Sequence, residues 1–319
     1  MPDLAIVGAG IMGANHGRVA SALAGVRLTA VCDTDADRAK ALAHGTDALV
    51  TTELDEAIEA ADAVVLATPS HTHGTLGEHI LKSGRDLLVE KPIATEIADA
   101  QRLIDTAAAN HRILMVGHVE RFNPAVVELR RLVTEPLALE ITRVGPFYAR
   151  NLADVVLDLM IHDIDLARAI VGGEIVEQQA MGRPVLTGEP DFANALLRFD
   201  NGVLANITAS RVSQSKIRRI TLTQRDNAVV ADLLRQQIEV HRIEHSEFLT
   251  DGGVRYRQSG LVEIPYLAEH GEPLMHELRH FVECVRDRRQ PAVSGHDGLA
   301  SLRVCLQIVA AIRGSAGVR

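Results

Sequence analysis

The sequence predicts a two-domain α/β protein: first a doubly wound parallel sheet, then an α+β domain with a largely antiparallel open sheet. Three observations predict it. Short apolar runs alternate with helical patterns through the first third of the chain. Gly8-Ala9-Gly10-Ile11-Met12-Gly13 follows the first of those runs directly. After Val119, alternating runs punctuated by turn residues take over. At 319 residues the chain exceeds the commonest single-domain size, so two domains are expected, at 1–118 and 119–319.

Buried parallel strands are expected at 4–7, 28–32, 63–67, 87–89 and 113–116, with a weaker one at 48–50. Between them lie helical patterns at 14–23, 36–43, 54–60, 75–81 and 97–109. Gly84 and Asn110 stand where helices stop. A further helix starts near Asn123-Pro124, since proline suits an early helical position, and a strand covers 139–144. A helix over 154–170 ends at Gly172-Gly173. Runs at 195–199 and 203–208 flank Asp200-Asn201-Gly202, a hairpin signal. Strands at 217–223, 228–231 and 238–243 follow, and helices near 273–286 and 298–312 close the chain. This half reads as an antiparallel sheet with helices on one face, so its other face needs cover, by a homodimer or homotetramer.

Composition narrows the function. A formal charge of −9 argues against a nucleic-acid partner. Aromatics are 3% and tryptophan is absent, so the cores must be aliphatic. Cys32, Cys284 and Cys305 are scattered without metal-ligand spacing, which fits a reducing, cytoplasmic setting. No leader-like segment precedes the first strand, and no apolar run approaches the length of a membrane span.

The glycine motif after a strand and before a helix is the context a dinucleotide needs, so the first domain reads as a Rossmann domain. Gly8 permits the tight turn, Gly10 lets the backbone approach the pyrophosphate, and Gly13 lets the helix pack on the strand. Ile11 and Met12 lie in the same loop, and the pyrophosphate would sit on the helix N-terminus. Asp33, twenty positions beyond Gly13, ends the second strand, where a carboxylate binds ribose hydroxyls. It would repel a 2′-phosphate and so favours NAD over NADP. Thr34 and Arg38, close by, act against that preference.

Two further features carry chemistry. The strand at 87–89 runs into Glu90-Lys91-Pro92, delivering Lys91 beyond a strand's carboxyl end, where ligands bind. Lys91 can stabilise negative charge on a reacting oxygen, tuned by Glu90. Asp158 and His162 are spaced i, i+4 and share a helix face, so the carboxylate can orient a histidine that exchanges a proton. The same spacing suits a solvated face including Asp163 and Asp165, with a packed core histidine. Spacing alone does not separate the readings.

Together, Gly8–Gly13, Glu90-Lys91-Pro92 and the Asp-x-x-x-His pair at Asp158/His162 resemble the Gfo/Idh/MocA oxidoreductases over essentially the whole chain. The resemblance implies that Lys91, Asp158 and His162 surround the substrate, and that Lys91-Pro92 is often cis. It also implies that the loop with Thr68, Pro69 and His73 lies near the nicotinamide, with Glu90 and Lys91 also at the cofactor. The segments at 116–124 and 159–165 are similar to the UDP-N-acetylglucosamine 3-dehydrogenase branch. These enzymes oxidise the sugar C3 hydroxyl to a ketone, which a partner transaminase then aminates. That likeness makes Arg121, Asn123 and Arg150 candidates for nucleotide or sugar contacts, although each arginine equally suits an ion pair.

The alternatives are a dehydrogenase of inositol or a free sugar, and a non-catalytic NAD-binding regulator. No metal is expected. His276-Glu277-Leu278-Arg279-His280 matches a zinc-protease helix motif, but Leu274, Leu278, Phe281, Val282 and Val285 mark that helix's buried face, leaving His276 and His280 on the other side. His71 and His73 have no identifiable third ligand.

Overall fold

The structure is a computed structural model describing residues 1–148, 154–250 and 253–316. In its first unit, β1 (Asp3–Val7), β2 (Arg27–Cys32), β3 (Leu49–Thr51), β4 (Ala63–Leu66), β5 (Asp86–Glu90) and β6 (Leu114–Gly117) form one sheet. The order is β3-β2-β1-β4-β5-β6 and every pairing is parallel. The connecting helices are α1 (Ile11–Ala22), α2 (Ala36–Ala43), α3 (Leu54–Glu59), α4 (His73–Lys82) and α5 (Ile97–Ala109). Every residue of β4 and β5 is buried, as parallel strands covered on both faces must be. Strand order reverses between β1 and β4, the switch point outside which ligands bind in open α/β sheets.

Contacts divide the chain into Met1–Phe122 with Gly271–Arg303, and Asn123–His270 with Val304–Arg319. The expected single cut at 118 is therefore corrected, because a late segment returns to the first unit. The Val116 N–H donates to the Val293 carbonyl at 3.1 Å, and Met115 forms an antiparallel bridge with Ser294. Helix α8 (Pro273–Asp287) belongs to this return, as do the first turns of α9 (Gly295–Ala316). Glycine allows that close approach. A Cβ on Gly298 would stand 2.7 Å from the Val116 side chain, and one on Gly295 2.8 Å from Leu114.

The second unit carries α6 (Pro124–Arg131), β7 (Pro136–Val144), α7 (Ile161–Val171), β8 (Ile175–Arg183), β9 (Phe192–Phe199), β10 (Leu204–Ser210), β11 (Ile217–Gln224), β12 (Ala228–Asp232), β13 (Gln237–Thr250) and β14 (Gly253–Glu263). The strands order β14-β13-β12-β11-β7-β10-β9-β8. The sheet is mostly antiparallel, but β7 and β10 are parallel, because α7 and the β8–β9 hairpin intervene between them. The β9–β10 hairpin turns at Asp200-Asn201-Gly202 as expected, with Gly202 at φ +87°. Strands β8 and β14 were not anticipated. They are the edges, and β8 alternates only between half-buried and exposed positions, so its apolar period is faint.

Helices α6, α7 and the later turns of α9 cover one face of this sheet, where Leu129, Ile164 and Ile308 join Ile141, Leu197, Ile207 and Ile220 in one core. This unit holds buried ion pairs among the described residues. Arg143 Nε on β7 donates to Asp163 Oδ1 on α7 at 2.8 Å, fixing the helix on the strand. Arg211 Nε donates to Asp191 Oδ1 at 2.7 Å, while Asp191 Oδ2 accepts the N–H groups of Val185, Leu186 and Thr187. Burial alone would raise the Asp191 carboxyl, but these donors outweigh it and hold it well below the ordinary aspartate range.

Asp191→Ala should cost about 3 kcal/mol or more in urea unfolding, since it leaves a buried guanidinium without its carboxylate. A lowered folded-state pKa stabilises above the unfolded value of about 3.9 and is lost as pH falls below it. The wild-type advantage over Asp191→Ala should therefore shrink in acid, toward pH 3.

Candidate active site

The turn after β1 builds the first half of the site. Gly8 takes φ +97°, and a Cβ there would stand 2.7 Å from the Ala67 carbonyl group at the end of β4. A Cβ on Gly13 would lie 1.8 Å from the Gly8 carbonyl oxygen. The third glycine therefore lets α1 pack closely on the end of β1, as expected, with the Ile6 side chain also 3.6 Å from that position. Gly10 differs, because a Cβ there meets nothing within 4 Å and would project into open space. Gly10 is also the N-cap of α1, which no side chain caps and whose first turn holds no acidic residue. Helix α1 begins at Ile11, three residues before the expected start. Uncapped N–H groups and an unopposed dipole form a cradle for phosphate oxygens.

A cleft of about 640 Å³ opens at this turn. It is lined by Gly8, Gly10, Ile11, Met12, Asp33, Thr34, Arg38, Thr68 and Pro69 among others. Asp33 is fixed by two backbone donors, Ala9 N–H to Oδ2 at 2.6 Å and Asp35 N–H to Oδ1 at 2.8 Å. Each oxygen keeps a lone pair for a ribose hydroxyl. Arg38 is drawn to Asp35 at 3.2 Å. Cys32 also lines the cleft, and burial pushes its thiol up to about 11. These residues fit a dinucleotide.

Several side chains expected at a ligand are engaged by groups of the protein itself. His73 is buried, with Nδ1 at 2.8 Å from the Pro92 carbonyl and Nε2 at 2.9 Å from that of Thr68, so it ties two loops rather than lining the cleft. Burial lowers its pKa, although both carbonyls favour the charged ring. Glu90 is also buried. Its Oε1 lies 2.8 Å from His16 Nε2 and its Oε2 accepts the Lys91 N–H at 3.2 Å. Lys91 itself is half-buried at the end of β5, joined to Pro92 by a cis peptide. Arg121 is buried, 3.6 Å from Asp297, so the ion-pair reading holds for it. Asn123 caps α6 through Ala125 N–H at 3.1 Å and donates to the Leu233 carbonyl at 3.0 Å. Arg150 lies outside the described residues.

In the second unit, the expected continuous α-helix over 154–170 opens as a π-turn, Val156–Met160, before α7. Asp158 falls in the π-turn and His162 in α7, both half-buried, so plain α-helical spacing does not describe the pair. Single π-turns inside helices recur at functional sites. Asp163 and Asp165 are buried, which overturns the solvated face. Asp158 helps line a pocket of about 130 Å³ with Arg143, Tyr148, Ser210, Arg211, Lys216 and Arg218. Lys216 precedes β11 and Arg218 lies near its start, so their i, i+2 spacing was the available signal for the missed basic pair.

The zinc-protease-like motif takes a different form. Glu277 turns inward, while His280 Nε2 accepts the Ala292 N–H at 2.9 Å. Among the described residues no helix is long and apolar enough to cross a membrane.

Residues 3–118 match the model of an oxidoreductase family with an NAD-binding Rossmann fold, and residues 147–230 match the GFO/IDH/MocA C-terminal domain. The chain is 30% identical to UDP-N-acetylglucosamine 3-dehydrogenase of Acidithiobacillus ferrooxidans, over 96% of each chain. It belongs to the Gfo/Idh/MocA oxidoreductase family. A solved structure of that Acidithiobacillus enzyme superposes with a TM-score of 0.89 over 98% of both chains. Inositol 2-dehydrogenase of Rhizobium meliloti is 29% identical over 93% of this chain and 92% of its own. The family fixes the fold, the NAD-binding domain and the oxidoreductase class.

Gly10→Ala should melt within about 2 °C of wild type yet bind NAD at least tenfold more weakly by calorimetry, because its methyl enters the cradle and touches no protein atom. In the same titration, wild type should bind NAD at least tenfold more tightly than NADP, since the Asp33 carboxylate in the cleft would repel a 2′-phosphate.

Proposed function

We propose that this family member is an NAD-dependent sugar dehydrogenase that oxidises a ring hydroxyl to a ketone, with C3 of a UDP-N-acetyl amino sugar as its target. NAD, when bound, supplies the hydride acceptor. Lys91 steadies the negative charge that grows on the reacting oxygen. His162, oriented by Asp158, takes the hydroxyl proton. Lys91, Asp158 and His162 together also speak against a purely binding role, which needs none of them.

The observation that favours a nucleotide sugar over a neutral cyclitol is the basic pocket beside Asp158. Arg143, Arg211, exposed Lys216 and half-buried Arg218 bring four cationic side chains to its lining, with Asp163 and Asp191 paired to the first two. The pocket holds one phosphate-sized group, and anchoring a diphosphate remote from C3 would orient the sugar for reaction. Exposed Tyr148 offers a ring for the base. A 3-keto product suits amination by a following transaminase. The cysteines, all reduced and buried, support a cytoplasmic setting.

Absorbance at the NADH wavelength, with a ketone trap present, tests the assignment. UDP-N-acetylglucosamine should give signal, and myo-inositol and free hexoses should not. Lys91→Ala and His162→Asn should each cut turnover at least 100-fold. A Lys216→Glu/Arg218→Glu double variant should lose tenfold or more in kcat/KM with NAD affinity unchanged. Faster turnover of a free polyol would overturn the nucleotide-sugar assignment and leave the chemistry in place.

We also infer self-association through the open sheet face, where Leu196 and Leu204 are 44% and 45% exposed. Light scattering at micromolar concentration should give a dimer or tetramer, and a monomer would contradict this.

A further inference from the structure

Behind the strand end that carries Lys91 lie three buried titratable groups from three elements: His16 on α1, Glu90 on β5 and Glu277 on α8. Their nitrogen and oxygen atoms all lie within 4.8 Å of one another. Glu277 has no exposed surface, and among the described residues neither of its carboxyl oxygens has a hydrogen-bond partner. The same is true of His16 Nδ1. Two carboxylates this close, out of water and facing one imidazole, need a compensating proton or cation.

The distances favour a proton. His16 Nε2 and Glu90 Oε1 are 2.8 Å apart, a hydrogen bond. Ligand atoms around tetrahedral zinc, at bonds near 2.0–2.1 Å, stand about 3.3 Å apart. The two carboxyls are also driven in opposite directions. Burial raises Glu277 well above the ordinary glutamate value, and the Glu90 charge adds to this. Burial acts on Glu90 too, but His16 and Lys91 outweigh it and hold Glu90 below that value. Such a split marks one acid and one carboxylate.

We propose that Glu277 is a positioning residue for Lys91: a neutral carboxylic acid whose O–H points to Glu90, directly or through one water, and completes a cluster with His16. Glu90 spends one oxygen on His16 and the other on the Lys91 backbone N–H, so its placement decides where β5 delivers Lys91. Gly117 leaves room for it, since a Cβ there would stand 3.3 Å from the Glu90 carboxyl. His16 rides on the helix that starts at the phosphate cradle, so the cluster links that helix to the lysine strand. The inference rests on the role given to Lys91.

The test compares wild type with Glu277→Gln, a neutral mimic of the acid, and Glu277→Met, an apolar residue of similar length. Activity is read on whichever panel sugar reduces NAD. Glu277→Gln should stay within threefold of wild-type kcat. Glu277→Met should fold, lose about tenfold in kcat with little change in KM, and shift the pH profile of kcat. Wild-type kcat in the Met variant, or an equal loss in both variants, would overturn the proposal.

A second arm needs no turnover and so fails separately from the substrate assignment. Glu277 keeps a proton that the unfolded chain releases near pH 4.3, so its stabilising effect is complete below that pH and is lost as pH rises toward the folded value. Elements packed against α8 carry His16 and Arg18 on α1 and Glu120 and Arg121 in residues 119–122, Glu90 lies beside Glu277, and α8 itself carries His276, Arg279, His280, Glu283, Cys284, Arg286 and Asp287; all are shared with the variant. The Tm of wild type minus that of Glu277→Gln should therefore fall by about 3 °C or more from pH 5 to pH 9. A flat difference would overturn the proposal, as would one bound metal ion per chain that Glu277→Gln releases.

Discussion

The closest backbone approach in the first unit governs much of what surrounds it. The Gly8 carbonyl oxygen occupies the space a Cβ on Gly13 would need, and Gly8 itself abuts the end of β4. Those contacts fix how α1 leaves the sheet. Once α1 is fixed, its uncapped N–H groups face the cleft, Ala9 meets the Asp33 carboxylate, and His16 arrives beside Glu90. The cofactor cradle and the support behind Lys91 are two ends of one helix whose angle is set by a pair of glycines.

The second unit solves a different problem, which is how to keep charge inside an aliphatic domain. Asp163 and Asp191 each hold an arginine that also lines the pocket beside Asp158. Both carboxylates are supplied from outside the sheet, one by α7 and one by the turn before β9. Removing either would strand a cation rather than free it for substrate.

Much of this was legible in the sequence because its signals are local. The glycine turn, Asp33 at the end of β2, the Asn-Gly hairpin and the buried face of α8 each announce themselves within a few residues. The remainder depends on partners far apart in the chain. Glu90 and His16 are 74 positions apart, and Asn123 meets Leu233 across 110. Sequence spacing cannot reveal such meetings. For that reason the ties that hold Arg121, Asn123, His73 and Glu90 within the protein could not be read from spacing. The edge strands β8 and β14 escaped for another reason, since an edge buries too little to impose a clear period. The π-turn at Asp158 has no side-chain signature at all.

The return of residues 271–303 to the first unit bears on how the protein is made. During synthesis β1 to β6 leave the ribosome early, with their glycine turn and Asp33 in place. Glu277, the Val293 carbonyl beside β6 and the glycines that let α9 approach it emerge only after residues Asn123–His270 of the second unit. The nucleotide-binding half must therefore wait, incomplete, for nearly the rest of the chain. Its last contacts have high sequence separation and close slowly. A chain that stalls in the second unit would present a dinucleotide fold with an uncovered flank, the kind of surface on which chaperones act.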